Sequence, residues 1–213
     1  MRRLVQSAAR FIPVKLTIPR LQQAASACTG CDLYQRATQT VFGEGSTHAT
    51  IMFVGEQPGD QEDRAGHPFV GPAGKILDKA LAEAGIERES VYVTNVVKHF
   101  KWEPQGKRRK HKKPSASEIT ACRPWLEAEE QAVKPQVIAY LGVTAAQSAF
   151  KKTIRLNDLR GRPWSTPIAS NVFMTVHPSA ILRHPEAAQR AEEYHRFVED
   201  LKRIKQFLQA QAA

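Results

Sequence analysis

Three sets of residues in this chain have types and spacings suited to chemistry. Cys28, Cys31, His99 and Cys122 make three thiols and an imidazole, the first two in a Cys-x-x-Cys pair. By spacing alone zinc is the commoner occupant of such a set, and a 4Fe–4S cluster, usually held by four Cys, is equally permitted. Three unrelated thiols are the plain alternative, and the Cys-x-x-Cys pair argues against it. A second set, Glu56, Gln57, Asn95 and His177, follows apolar or β-branched runs. Singly these read as a solvated carboxylate, a turn amide and a core histidine. If the runs are parallel strands, their ends share one edge and one pocket can contain all four. The third is His111, inside Lys107-Arg108-Arg109-Lys110-His111-Lys112-Lys113. Six neighbouring cations disfavour a seventh charge, so the ring is expected to be neutral, and a neutral imidazole is a nucleophile.

The elements that must position these groups are legible from periodicity. Residues 51–54 (IMFV) form an apolar run of the kind a strand buried on both faces shows, broken at Gly55 by a turn-forming segment carrying Glu56, Gln57, Asp60, Glu62 and Asp63. Gly71-Pro72-Ala73-Gly74 launches a helix over 75–84, apolar at Ile76, Leu77, Ala80, Leu81 and Ala84. A phosphate-binding loop is excluded here, because only two residues separate the glycines and Ile76 follows Lys75 where a Ser or Thr is needed. Further strands are predicted over 90–97, ending at Asn95, over 136–141, and over 171–176, ending at His177-Pro178-Ser179. Ser115 to Glu118 fits a capping box opening a helix to about Lys134, with helices also over 143–150 and 186–210. Strands alternating with helices predict an α/β fold, a three-layer α/β/α sandwich with a central four-stranded parallel sheet. Residues 101–114 read as a long polar loop.

The 213 residues suffice for one full core, and no apolar run approaches membrane-spanning length. Thirty-one Lys and Arg against 21 Asp and Glu give a net charge of +10, which points to a polyanionic partner, nucleic acid first. The basic run supplies six of those charges, leaving +4 without it. It reads either as a solvated basic loop or as a phosphate-gripping patch of salt-dependent, sequence-blind affinity. Residues 1–26 are acid-free and carry Arg2, Arg3, Arg10, Lys15 and Arg20. That composition also suits a transit peptide, but Pro13 and Pro19 interrupt an amphipathic helix. The reading adopted is a surface-lying basic arm on a cytoplasmic protein, a monomer with no membrane partner, followed by one domain over 27–213.

The ordered pieces Cys28-x-x-Cys31, Gly55-Glu56-Gln57-Pro58-Gly59, Pro68-Phe69-Val70-Gly71-Pro72-Ala73-Gly74, Thr94-Asn95-Val96-Val97-Lys98, Cys122-Arg123-Pro124-Trp125 and His177-Pro178-Ser179 resemble the uracil-DNA glycosylase superfamily in its iron–sulfur branch. Gln57, the inserted Lys-Arg-Arg-x-His loop and His99 in place of a cysteine move the resemblance toward the UdgX class, which ends covalently attached to DNA. Lys110 departs from the apolar residue expected before the histidine.

The resemblance implies a 4Fe–4S cluster on Cys28, Cys31, His99 and Cys122, and uracil-containing DNA as partner. It implies substrate contacts from Gln57, Asp60, Phe69, Asn95 and Ser179, catalysis by Glu56, His111 and His177, and DNA binding by Lys107, Arg108, Arg109 and Lys110. The residue chemistry agrees, since a base must leave the duplex before its glycosidic bond is reachable. Phe69 would stack on it, Asn95 would pair with its O4 and N3–H edge, and His177 would stabilise the departing anion. The expected outcome is a covalent trap through His111. A turnover glycosylase, marked by free uracil in molar excess over enzyme, is the alternative. A non-catalytic binding module, indifferent to uracil against thymine, is the third reading, and Glu56, Asn95 and His177 together argue against it.

Overall fold

The computed structural model describes residues 7–150, 154–166 and 171–212. Its strands, in chain order, are β1 (Glu44–Gly45), β2 (Ile51–Gly55), β3 (Tyr92–Asn95), β4 (Trp102–Gln105), β5 (Arg108–His111), β6 (Val137–Leu141) and β7 (Val172–Thr175). Its α-helices are α1 (Ile18–Ala25), α2 (Asp60–Ala65), α3 (Pro72–Glu83), α4 (Ala116–Val133), α5 (Val143–Phe150), α6 (Leu156–Leu159), α7 (Pro178–Arg183) and α8 (Ala187–Ala212).

Strands β3, β2, β6 and β7 lie side by side in that order, each parallel to the next. Their side chains alternate between two cores: Met52 and Val54 join α1, α4 and α5 on one face, and Ile51 and Phe53 join α3, α7 and α8 on the other. Both faces being covered is why the strands read as unbroken apolar runs. The sheet itself is five-stranded and mixed rather than four-stranded and parallel, because β1 adds antiparallel to β3 through Glu44↔Val93 and Gly45↔Tyr92. A two-residue strand carries no periodicity from which to predict it.

Two further expectations are corrected. Residues 101–114 are an antiparallel hairpin, β4 against β5, with Trp102 opposite His111 and Glu103 opposite Lys110. Its two-residue turn begins at Gly106, φ +60°, the position where a tight hairpin demands glycine. Both strands are polar, so apolar alternation could not reveal them. The arm is not surface-lying from residue 8 onward. Ala8, Ile18, Leu21 and Ala25 are buried in the same core as α4. Pro19 sits in the first turn of α1, where a missing N–H costs nothing. Arg2 and Arg3 of that arm lie outside the described residues. No helix among the described residues is long and apolar enough to cross a membrane.

Candidate active site

The parallel register sets Gly55 opposite Asn95, so the loops after β2 and β3 leave the sheet together. Gly55 is required there: a Cβ would overlap Asn95 Oδ1 and come within 2.8 Å of the Phe69 ring. Asn95 is 3 % exposed. Behind it the buried Lys98 ammonium donates to the Asn95 carbonyl (2.7 Å), Thr94 Oγ1 (2.6 Å) and Glu129 Oε2 (2.5 Å). A buried charge is tolerable only with that degree of pairing, and the pairing pins the backbone of the asparagine.

Phe69 holds a left-handed backbone, φ +57°, rare for a bulky residue. Its ring lies 6.1 Å from that of His177 at 27°. Gly74 makes this possible, since a Cβ there would collide with the Phe69 carbonyl. The buried Glu62 braces the two glycine loops, accepting N–H bonds from Gly59 (3.1 Å) and Gly71 (2.8 Å). Its sequence signal was available: it stands three residues after Gly59, at the reciprocal position of a capping box.

His177 caps α7, its Nδ1 accepting the Ser179 backbone N–H at 3.1 Å. Arg183 donates to Ser179 Oγ (2.9 Å), which leaves the hydroxyl hydrogen for the same Nδ1 at 2.8 Å. With Nδ1 an acceptor, the proton of the neutral ring is on Nε2, a donor. Burial, with Arg183 and His111 adding to it, brings the His177 pKa down to about 4, so that state persists at neutral pH.

His111 is half exposed, and its Nε2 lies 3.8 Å from Glu56 Oε1, at the same edge. The Gln57 amide is oriented by the hairpin base: its oxygen accepts from Lys101 N (3.2 Å), and one hydrogen of its nitrogen is shared between the carbonyls of Lys112 (3.0 Å) and Lys101 (3.3 Å). The same nitrogen lies 2.8 Å from His111 Nε2. Two nitrogens cannot both donate, so Nε2 holds a lone pair and Nδ1 the proton. The ring's pKa is lowered, as expected, but chiefly by burial; Glu56 opposes the shift and Arg183 adds to it. The hairpin's own cations are not the cause. Lys110 is exposed across from Glu103, and Arg109 is neutralised by carboxylates.

Arg109, predicted as a DNA contact, lies instead against acidic side chains of the protein. It turns inward over the rings of Phe100 and Trp102 and pairs with Asp60 and with Asp63 (2.6 Å). Asp60, predicted to touch substrate, is held by Arg109 and by Arg64 (3.0 Å). Alternation along β5 explains the switch: Arg109 and His111 share the inner face, while Arg108 and Lys110 take the outer one. Lys107, Arg108 and Lys110 are exposed. Glu129 and Arg183 are site neighbours that the sequence patterns did not single out: Glu129 is identified by long-range pairing with Thr94 and Lys98, and Arg183 by its bond to Ser179 one turn away.

Cys28, Cys31 and Cys122 are all buried. Burial pushes the Cys31 thiol up to about 11 and Cys122 to about 12, with Cys28 adding to both. Cys28 accepts an N–H from Trp125 Nε1 (3.2 Å) and Cys122 one from the Lys98 backbone (3.3 Å). His99 Nε2 lies 2.9 Å from Thr40 Oγ1, so in this rotamer a metal bond falls to Nδ1. Burial lowers the His99 pKa to about 4, keeping the ring neutral. Among the described residues no three His, Cys, Asp or Glu side chains gather closely enough to hold a metal ion.

The profile of the Uracil DNA glycosylase superfamily matches residues 42–202. A type-4 uracil-DNA glycosylase of Thermotoga maritima is 38% identical over 190 residues, covering 88% of this chain and 93% of that protein. Those of Sulfurisphaera tokodaii (35% over 193 residues, 87% and 84% covered) and Archaeoglobus fulgidus (37% over 187 residues, 84% and 86% covered) are also similar. Because the matched span runs through every strand of the sheet and every residue at its edge, this chain belongs to the uracil-DNA glycosylase superfamily.

Proposed function

We propose that this protein excises uracil from DNA and retains the product, bonding C1′ of the emptied sugar to Nε2 of His111. The observation that carries the reading is the Gln57 amide nitrogen 2.8 Å from His111 Nε2, a contact that suits an unprotonated imidazole nitrogen, with Glu56 Oε1 3.8 Å away. The relatives support the excision half, being named type-4 uracil-DNA glycosylases. The capture half rests on Gln57, the histidine-bearing hairpin and His99, the features shared with the UdgX class.

The flipped uracil lies against Phe69 with its O4 and N3–H edge on the Asn95 amide. His177 Nε2–H donates to O2. The N1–C1′ bond breaks, its electron pair leaves with uracil, and the resulting anion is stabilised by that preorganised donor. Glu56 faces the positive charge on C1′. Gln57 releases Nε2, whose lone pair forms the new N–C1′ bond. The ring, now cationic, loses its Nδ1 proton and the uracil anion gains one, so the net exchange moves one hydrogen from imidazole to uracil. Lys107, Arg108 and Lys110 contact phosphates, giving affinity that falls with salt.

The cysteine set fits a 4Fe–4S cluster better than a single ion. Ligands around a cube stand further apart than ligands around one metal, and N–H bonds to sulfur of the kind Cys28 and Cys122 accept are normal for clusters. Cys28, Cys31, Cys122 and His99 would hold it, and its contribution is to tie the N-terminal segment to the loop after β3 and to α4. A colourless preparation with stoichiometric zinc and no iron would refute this assignment.

The deciding experiment is denaturing electrophoresis after mixing the protein with a uracil-containing single strand. A stable protein–DNA band is expected, absent with thymine, and one free uracil per protein. Uracil in molar excess over protein with no band would establish ordinary turnover instead. Because the folded ring's pKa lies below 6.5, the neutral nucleophile survives acidification past that value. Adduct formation is expected to stay level as pH falls through 6.5 and to decline only below it; a midpoint at or above 6.5 contradicts the partial-burial account.

A further inference from the structure

The hairpin that carries His111 has no core of its own, and an isolated two-stranded hairpin is at best marginally stable in water. Its tip stands clear, with nothing within 4 Å of a Cβ at Gly106. Its posture therefore comes from what it docks against. Gln57 holds the base, Asp60 and Asp63 of α2 hold Arg109, and two further anchors lie on one short segment. The Trp102 indole N–H donates to the Arg36 carbonyl at 2.9 Å. Arg109 donates to Thr38 Oγ1 (3.1 Å) and to Asp63 (2.6 Å). Asp63 is itself fully buried and held by the Thr38 N–H (3.0 Å) and hydroxyl (2.6 Å). Residues 36–40 thus form a strap across the underside of the hairpin. One 3₁₀ turn, Asp32–Gln35, separates it from Cys31, and Thr40 at its other end meets His99 Nε2.

We propose that this strap is the positioning platform for His111, with Trp102 and Thr38 as positioning residues that decide whether the emptied sugar is captured by imidazole or released to water. The inference rests on the capture reading above. Excision needs Asn95, His177 and Glu56, none of which the hairpin supplies. Capture also needs Nε2 at bonding distance from C1′, and misplacement by an ångström is enough to lose such a reaction. Loosening the strap is therefore expected to change the partition between outcomes and to spare bond cleavage.

The test uses Trp102→Phe, which keeps a ring under Arg109 but removes the indole N–H, and Thr38→Val, which removes the hydroxyl at constant shape, singly and together. Single-turnover uracil release and covalent yield are measured side by side with hydrogen exchange of amides 102–112. In the double variant uracil release is expected to stay within about twofold while covalent yield falls about tenfold, the loss matching two weakened hydrogen bonds. Hairpin amides should exchange faster, and Thr38→Ser should recover most of the yield. Release and yield falling in parallel, or neither moving, overturns the proposal. If the unaltered protein forms no adduct, the capture reading fails; the platform itself then stands if the hairpin amides of the variants exchange faster and falls if they do not.

Discussion

Replacing His111 by Ala is expected to eliminate the covalent product while uracil is still released, now in molar excess over protein. In the proposed mechanism every group assigned to breaking the glycosidic bond stays in place: the Asn95 amide, the His177 donor and the Glu56 carboxylate. What disappears is the acceptor of C1′. The nearby amines do not replace it, because Lys101 is engaged by Glu118 (2.9 Å) and Lys112 by Glu103 (2.8 Å). Covalent yield should fall by more than about 10³-fold, with the excision rate changed by less than about tenfold, as expected when only a second chemical step loses its nucleophile. Quantitative gels against released uracil make the comparison. A denaturation-resistant band surviving in this variant would assign the bond to another side chain.

The second large effect belongs to His177. In the proposed mechanism, removing its Nε2–H by His177→Ala strips the donor from the place where negative charge develops on the leaving base. Loss of one such preorganised donor costs roughly 10²–10³-fold in rate. Uracil release should fall by that factor, and adduct formation should fall with it, since capture follows cleavage. Ser179→Ala is the instructive contrast. The Ser179 backbone N–H still caps Nδ1 at 3.1 Å, so the tautomer survives without the hydroxyl. Its cost should be no more than about tenfold, the scale of one lost hydrogen bond. Single-turnover uracil release measures both. If His177→Ala stayed within about threefold of the unaltered protein, the leaving group would be stabilised elsewhere.

Hydrophobic patterning is local, and it specified the scaffold. The runs 51–54 and 137–141 are apolar because both faces of their strands are covered, and that condition is written in consecutive residues. It also placed Glu56, Gln57, Asn95 and His177 at strand ends, and parallel pairing carries strand ends to one edge. The Ser115–Glu118 capping box was equally readable, because cap and partner are three residues apart.

Only the folded chain decided which charges meet. Arg109 lies in a basic run and reads as a phosphate contact, yet it pairs with Asp63, 46 positions away, and that choice makes the hairpin a docked element. The same is true of Glu129 beneath Thr94 and Lys98, and of Arg36 under Trp102. His111 shows the division most clearly: its residue type and setting announced a neutral imidazole, but burial, with Arg183 adding to it, keeps it so rather than its cationic neighbours in sequence. Adjacent residues on a strand point to opposite faces, so nearness along the chain overstated their influence, and only the tertiary contacts specified which groups share the ring's surroundings.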